Sequence, residues 1–328
     1  MSFNPNVKLV DNILDFKSLE QKPTRNGYGD GLLELGKKNP NVVVLCADLI
    51  ESTRSEAFVR AYPERFVAAG LAAVGKIPFI SSYAMFSPGR NWEQVRTTIC
   101  YNERHVIVAG AHTGVSVGPD GATHQAIEDI ALVRVIPNMT VIVPADALEA
   151  KKATIVSADL KGPVYLRFAR EKTPVFTTNG TPFEVGKAEI FWQSDNPSAS
   201  SGQRKPDVAI IGCGPLVHNA ILAAAELEKE DIKSIVVNNH TIKPMDERTI
   251  IKVAKDAGAV VTVEEHQVQG GMGSAVAEVL ARNYPVPIEF IGVQNRFGES
   301  GSPSELLEHF GMGISHIVKS AKSVVRRK

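Results

Sequence analysis

Apolar residues along this chain fall into short β-rich runs, separated by stretches whose apolar positions recur with helical spacing. After a polar lead, "TRNGYGDGLLELGKKNP" predicts a helix from about Gly29 to Lys38, and "NVVVLCADL" a buried strand ending near Ala47. A second helix is expected after Ser55, in "EAFVRAYPERF", where the proline stops it. "KIPFISSYAMF", "HVIVAGAH", "MTVIVPAD" and "PVYLRFA" read as further strands, with "NWEQVRTTICYN", "THQAIEDIALVRV" and "ALEAKKATIVSA" as the helices between them. Strands that alternate with helices predict an α/β fold with a mainly parallel sheet covered on both faces.

The pattern breaks at "FWQSDNPSASSGQRKP", residues 191 to 206. This stretch is rich in Ser, Pro, Asn and Gly and is expected to be an exposed loop at the start of a second domain. Alternation then resumes with "DVAIIG", "LVHNAILAAAELEKE", "IKSIVVNN", "DERTIIKVAKDAG", "AVVTVEEH", "MGSAVAEVLARN" and "IEFIGV". The reading is two α/β domains, 1–190 and a smaller 191–328, with no short-period repeat relating them.

A length of 328 residues agrees with two domains, and 44% hydrophobic with 22% charged residues suits sizeable cores. Lys plus Arg equals Asp plus Glu at 36 each, so no overall charge draws the chain to nucleic acid or to a membrane. No apolar run reaches the roughly 18 residues of a membrane span, and the start lacks a signal peptide's apolar core. A cytoplasmic location is therefore expected. Cys46, Cys100 and Cys213 form no C-x-x-C pair and read as small buried hydrophobes.

Two glycine motifs mislead. "GCGPLV" lacks the third glycine and the later acidic residue of a dinucleotide site, so it reads as a tight strand-to-helix turn with exposed amides. "GYGDG" has the opening of a magnesium-diphosphate motif without its asparagines, and reads as a helix N-terminus with Asp30 in the first turn.

The chemistry gathers elsewhere. "GPDGATHQAIEDI" sets Asp120, Thr123 and His124 around a glycine turn, with Thr123 as a helix N-cap. A neutral histidine donates to one hydroxyl and an aspartate accepts from another, so this is either one wall of a polyol site or a local turn and cap. His112 follows the strand "HVIVAGA", at the carboxyl edge where open parallel sheets bind ligands. Tyr83 and Phe86, at the end of the preceding strand, either stack on a planar heterocycle or pack the core. Arg167 and Arg170 either clamp a phosphate or form salt bridges.

The chain resembles the carboxyl-terminal half of transketolase, and especially the separate carboxyl-terminal subunit found where that enzyme is split in two. The likeness runs from "TRNGYGDGLLELG" through "ADLIESTRSEAF", "YPERF", "GPDGATHQAIEDIALVRVIPNMTVIVPAD" and "VTVEEHQVQGGMGSAVAEVL" to "FGESGSPSELLEHFG". It implies a pyrimidine-binding domain followed by a transketolase carboxyl-terminal domain, and transfer of a two-carbon ketol unit between sugar phosphates with thiamine diphosphate. It further implies a partner amino-terminal subunit that binds the diphosphate with Mg2+ or Ca2+, self-association to a dimer, and an α2β2 complex. By resemblance His112 lies near the cofactor and the donor oxygen, Asp120 contacts a donor hydroxyl, and His124 lines the substrate channel. Tyr83 and Phe86 fall beside the aminopyrimidine, Asp48 near the cofactor, and Arg25 and Arg170 at a phosphate, with Arg167 the alternative to Arg170.

One departure bears on activity. After "YPERFV" the family carries a segment with the glutamate that bonds the pyrimidine ring, whereas here Val67 runs directly into "AAGLAAVGKIPF". Neither Glu56 nor Glu64 has the context to replace it. The alternatives are a catalytically silent binding or regulatory subunit, and the beta subunit of a two-oxoacid dehydrogenase or a deoxyxylulose phosphate synthase relative.

Overall fold

Every β-rich run named above becomes a strand, and the two most apolar, Ile107–Ala111 and Val208–Gly212, are buried along their whole length. A computed structural model describes residues 3–4, 6–46, 49–62, 71–194 and 205–328. In the first sheet Val42–Leu45, Ile77–Tyr83, Ile107–Ala111, Val164–Arg167 and Thr140–Ile142 lie side by side and parallel. Thr241–Lys243, from late in the chain, adds to its far edge antiparallel. The second sheet runs Ile288–Val293, Val260–Gln267, Val208–Gly212, Ser234–Asn238, all parallel, and ends in the antiparallel Glu189–Gln193.

Helices cover both faces, as a parallel sheet requires. Leu216–Lys229 and Ile314–Val325 pack on one face of the second sheet, Glu247–Ala257 and Met272–Asn283 on the other. On the first sheet Thr24–Lys38 and Ala147–Ser157 pack together over Phe79, Ile107 and Leu166.

Several local expectations are corrected. The first helix begins at Thr24, not near Gly29, so Asp30 lies beyond the first turn and pairs instead with Lys22 at 2.7 Å. Where it meets the Ala147–Ser157 helix it presents Gly27 and Gly31, which carry no hydrophobic signal: at Gly27 a Cβ would collide with the backbone carbonyl of Ala147. The helix expected from Thr123 begins only at Asp129. Residues 122–124 form a turn, and Thr113 bridges to Ala126, so Thr123 caps nothing. In 191–206, Phe191 and Trp192 are core residues of an edge strand; their antiparallel pairing with Ser234–Asn238 outweighs the polar composition around them. The polar lead also buries Val7 and Ile13 against this core. The amides of "GCGPLV" are consumed internally, Cys213 donating to Val263 and Gly214 to Val143. Cys100 and Cys213 are buried as expected, while Cys46 is half-buried.

Where Thr241–Lys243 joins the first sheet, His240 is fully buried and stacks on Phe183 with ring centroids 4.3 Å apart. Burial pushes its pKa down to about 3. The folded state therefore holds fewer protons than the unfolded chain between about 6.5 and 3, and the stabilisation is lost as pH falls through that window. Buried Glu149 and Glu264, pushed up to about 8 and about 7 by desolvation, titrate in the opposite sense, so a variant comparison is required. Relative to His240→Phe, the native chain should lose about 2 kcal/mol more between pH 7 and pH 5, as read from denaturant unfolding of both proteins.

Candidate active site

Tyr83 and Ala111 are register partners at the ends of adjacent parallel strands, so Tyr83 and His112 emerge together at the carboxyl edge of the sheet. His112 has φ of 58°, a conformation uncommon for a residue with a side chain. The following residues hold it there: Thr113 N–H donates to Phe168 at 3.3 Å, and Gly114 N–H to Ala126 at 2.8 Å. The turned imidazole lies flat on Tyr83, with centroids 3.8 Å apart and planes 22° apart. Phe86 continues the stack at 5.9 Å from Tyr83, and His124 meets Phe86 edge-on at 5.6 Å.

Arg25 closes this cluster from the first helix. Its Nη1 donates to the Ser52 carbonyl at 2.6 Å and faces His112 Nε2 at 3.4 Å. A guanidinium only donates, so Nε2 is the acceptor and the imidazole proton is assigned to Nδ1. Among the described residues that buried Nδ1 has no partner, and neither has Arg25 Nε. Burial first, then Arg25, Arg170, His124 and Arg54, pushes His112 down to about 3. Burial and the repulsion of Arg54 and Arg170 lower Arg25 to about 10. His112 is thus neutral and Arg25 charged at neutral pH.

The loop after His112 is fastened from several sides. Gln125 Nε2 donates to Val115 at 2.9 Å and Glu299 at 2.8 Å, while Glu265 Oε1 accepts from Ser116 N–H at 2.6 Å. Arg170 Nη1 donates to Val117 at 2.7 Å and to Glu171 Oε1 at 2.8 Å. Asp120 is exposed at the loop's end, and His124 is half-buried, with Thr123 Oγ1 2.9 Å from its Nδ1.

The structure therefore brings together His112, His124, Tyr83, Phe86 and Arg25, with Arg170, just past the strand Val164–Arg167, bonded to the loop that follows His112. Arg167 is a correction. It is buried, with Nε 2.8 Å and Nη2 3.1 Å from the carboxylate of Asp129, and Nη2 also donates to the carbonyls of Ala126 and Glu265. Its strand position points it inward, which removes it as a phosphate ligand. Asp48 lies outside the described residues, as does the Val67–Ala68 junction. Among the described residues no group of three His, Cys, Asp or Glu side chains converges for a metal, and no helix is long and apolar enough to cross a membrane.

Sequence reasoning missed Ser52 and Arg54. They sit in "ADLIESTRSEAF", a stretch that carries the family resemblance and leads into a helix but offers no site role of its own. Tyr83 donates from its hydroxyl to Ser52 Oγ at 3.2 Å, and Arg54 Nε donates to Asn26 at 3.0 Å. The charge at Arg54, just before a helix start, was the available signal.

A separate cavity of about 450 Å³ lies against Pro78 and Ile80, on the face of their strand opposite Tyr83. Ala72 and Ala73 border it, and among the described residues no carboxylate lines it.

Residues 20–175 match the transketolase pyrimidine-binding domain and residues 199–317 the transketolase C-terminal domain. A putative transketolase C-terminal section from Methanocaldococcus jannaschii is 41% identical, covering 94% of this chain and 98% of that protein. This chain belongs to the transketolase family. A 6-deoxy-6-sulfo-D-fructose transketolase subunit of Clostridium sp. strain MSTE9 is 37% identical, covering 94% of this chain and 97% of that one. Human transketolase is 32% identical, and the chain spans 50% of its length. A solved split gene transketolase, described as an inactive beta4 tetramer, superposes with a TM-score of 0.83 at 41% identity, covering 93% of this chain and 98% of that one. The transketolase of Campylobacter jejuni shares the fold at a TM-score of 0.72 and 21% identity, over 95% of this chain and 50% of that one.

The buried Arg167–Asp129 pair supports the site without belonging to it. Asp129→Ala should leave the guanidinium uncompensated and cost about 3–5 kcal/mol, a loss to be read from denaturant melts. A change below about 1 kcal/mol would mean that Arg167 finds water or another acceptor.

Proposed function

We propose that this chain is the carboxyl-terminal subunit of a split transketolase that uses thiamine diphosphate and moves a two-carbon ketol unit between sugar phosphates. The observation that carries this reading is His112, a neutral imidazole closed against Tyr83 whose buried Nδ1 has no partner among the described residues. An unpartnered donor on an imidazole whose other nitrogen meets Arg25 suits a ligand that presents oxygen atoms and an anionic end. The archaeal and clostridial relatives, both covered almost end to end, support a separate partner subunit. The tetramer described for the solved split relative supports self-association of this chain as well.

In this reading Arg25 and Arg170 bind the terminal phosphate, while Asp120 and His124 bind sugar hydroxyls. His112 holds a proton at Nδ1, where it can be donated to a developing negative oxygen. Tyr83 and Phe86 offer apolar faces to the aminopyrimidine of thiamine diphosphate, which when bound supplies the electron sink. Its diphosphate, with Mg2+ or Ca2+, belongs to the partner subunit, and Asp48 keeps its place near the cofactor by resemblance alone.

The aromatic stack and the open Nδ1 fit binding of that group. The family directs a carboxylate at the pyrimidine, and among the described residues none contacts Tyr83, Phe86 or His112. That absence favours a second reading, a catalytically silent subunit that binds the partner and completes its assembly.

Ketol transfer from xylulose 5-phosphate to ribose 5-phosphate separates the two, using a chain of verified mass with and without the amino-terminal subunit, cofactor and magnesium. Transfer only in the full mixture supports the enzyme, and silence despite complex formation supports the second reading. If transfer occurs, His112→Asn should lower it by about a hundredfold or more. Asparagine tolerates the left-handed backbone, so the melting temperature should move by only a few degrees.

A further inference from the structure

The turn that carries Ser52 wraps over the first helix at the level of Arg25. Arg25 Nη1 donates to the Ser52 carbonyl, and Arg54 Nε donates to Asn26, the residue next to Arg25. Arg54 has φ of 63°, and its carbonyl presses on Gly29, where any Cβ would collide with it. Only glycine at 29 lets the turn come this close, and that approach sets the Arg54 guanidinium on Asn26, the neighbour of Arg25, close enough for its charge to be felt at Arg25. The terminal nitrogens of Arg54 make no hydrogen bond among the described residues, and Arg25 Nε is buried without a partner.

The charges can be balanced. Arg25, Arg54 and Arg170 contribute three positive charges, and Glu171, 2.8 Å from Arg170, offsets one of them. Mutual repulsion among the arginines is already felt in the lowered pKa of Arg25. Two uncompensated positive charges match a phosphate monoester, which carries roughly −1.5 to −2 at neutral pH. A sulfonate, with one negative charge, leaves one guanidinium uncompensated.

The geometry points to Arg54 as a specificity-determining third arginine of the anion site, selecting a dianionic phosphate terminus over a monoanionic sulfonate. This rests on the reading of Arg25 and Arg170 as the anion-binding pair. It assigns a function to a residue that otherwise reads as the solvated end of a turn.

The test titrates methyl phosphate and methanesulfonate into the full chain by calorimetry, for the native protein, Arg54→Asn and Arg54→Lys. Asparagine accepts the left-handed backbone, and unchanged thermal melts establish that the variants fold. The native chain should prefer methyl phosphate. Arg54→Asn should weaken phosphate binding by about tenfold and sulfonate binding by less than about threefold, and lysine should restore most of the preference. The native preference should fade as pH drops below the second phosphate pKa of about 6. Equal losses for both anions in Arg54→Asn, no loss for either, or no phosphate binding by the native chain would each overturn the assignment. Because this titration needs neither cofactor nor partner, phosphate selection without ketol transfer would sink the enzymatic reading and leave the role of Arg54 standing.

In the complete complex the same substitution should shift the KM ratio of a 6-phosphorylated to a 6-sulfonated ketose by about tenfold. Transfer with an unshifted ratio would refute the selectivity while leaving the transketolase reading intact.

Discussion

The buried guanidinium of Arg167 joins three parts of the molecule. It stands at the end of a central strand, grips Asp129 at the start of the helix that follows the site loop, and donates to the Glu265 carbonyl in the second sheet. Tyr165, two residues earlier on the same strand, also donates to Asp129. Removing two charges from water is expensive, and the arrangement holds because nearly every polar group in it is bonded. This network fixes the end of the loop, while the bonds of Thr113 and Gly114 hold the left-handed turn at its beginning that lays His112 on Tyr83.

The electrostatics of the site follow from that placement. Close-set guanidiniums and a nearly dry pocket both oppose a second positive charge, so His112 remains neutral. A neutral imidazole that accepts from Arg25 must carry its proton on the other nitrogen, facing away from the arginine. Unpartnered buried nitrogens cost free energy in the absence of a ligand, and such features are expected where recognition takes precedence over stability. The second domain contributes through Glu265 and Glu299, which fasten the loop without entering the candidate site.

Much of this was legible in the chain. The alternation of short apolar runs with helical spacing gave the strands of both sheets, because burial on two faces demands continuous apolar residues. Their carboxyl ends gave Tyr83 and His112, since adjacent parallel strands deliver their ends to one edge. Less was legible where contacts replaced side-chain pattern. The first turns of the opening helix rest on glycines against another helix's backbone, and no periodicity records that. Phe191 and Trp192 sat next to a polar run, and only their strand pairing identified them as core.

The sequence by itself determined the fold class, the family and most of the residues that meet at the sheet edge, because spacing and local chemistry are written along the chain. Tertiary structure alone decided which arginine is locked into the core. Arg167 and Arg170 are three residues apart and look alike in sequence, yet one is locked to Asp129 while the other bonds Val117 of the site loop and pairs with Glu171. Arg54, distant in sequence from both, bonds Asn26 beside Arg25 because Gly29 lets its turn close over the helix. The difference lies in long-range packing and desolvation, which depend on what the fold sets opposite each side chain and leave no mark on the neighbouring residues.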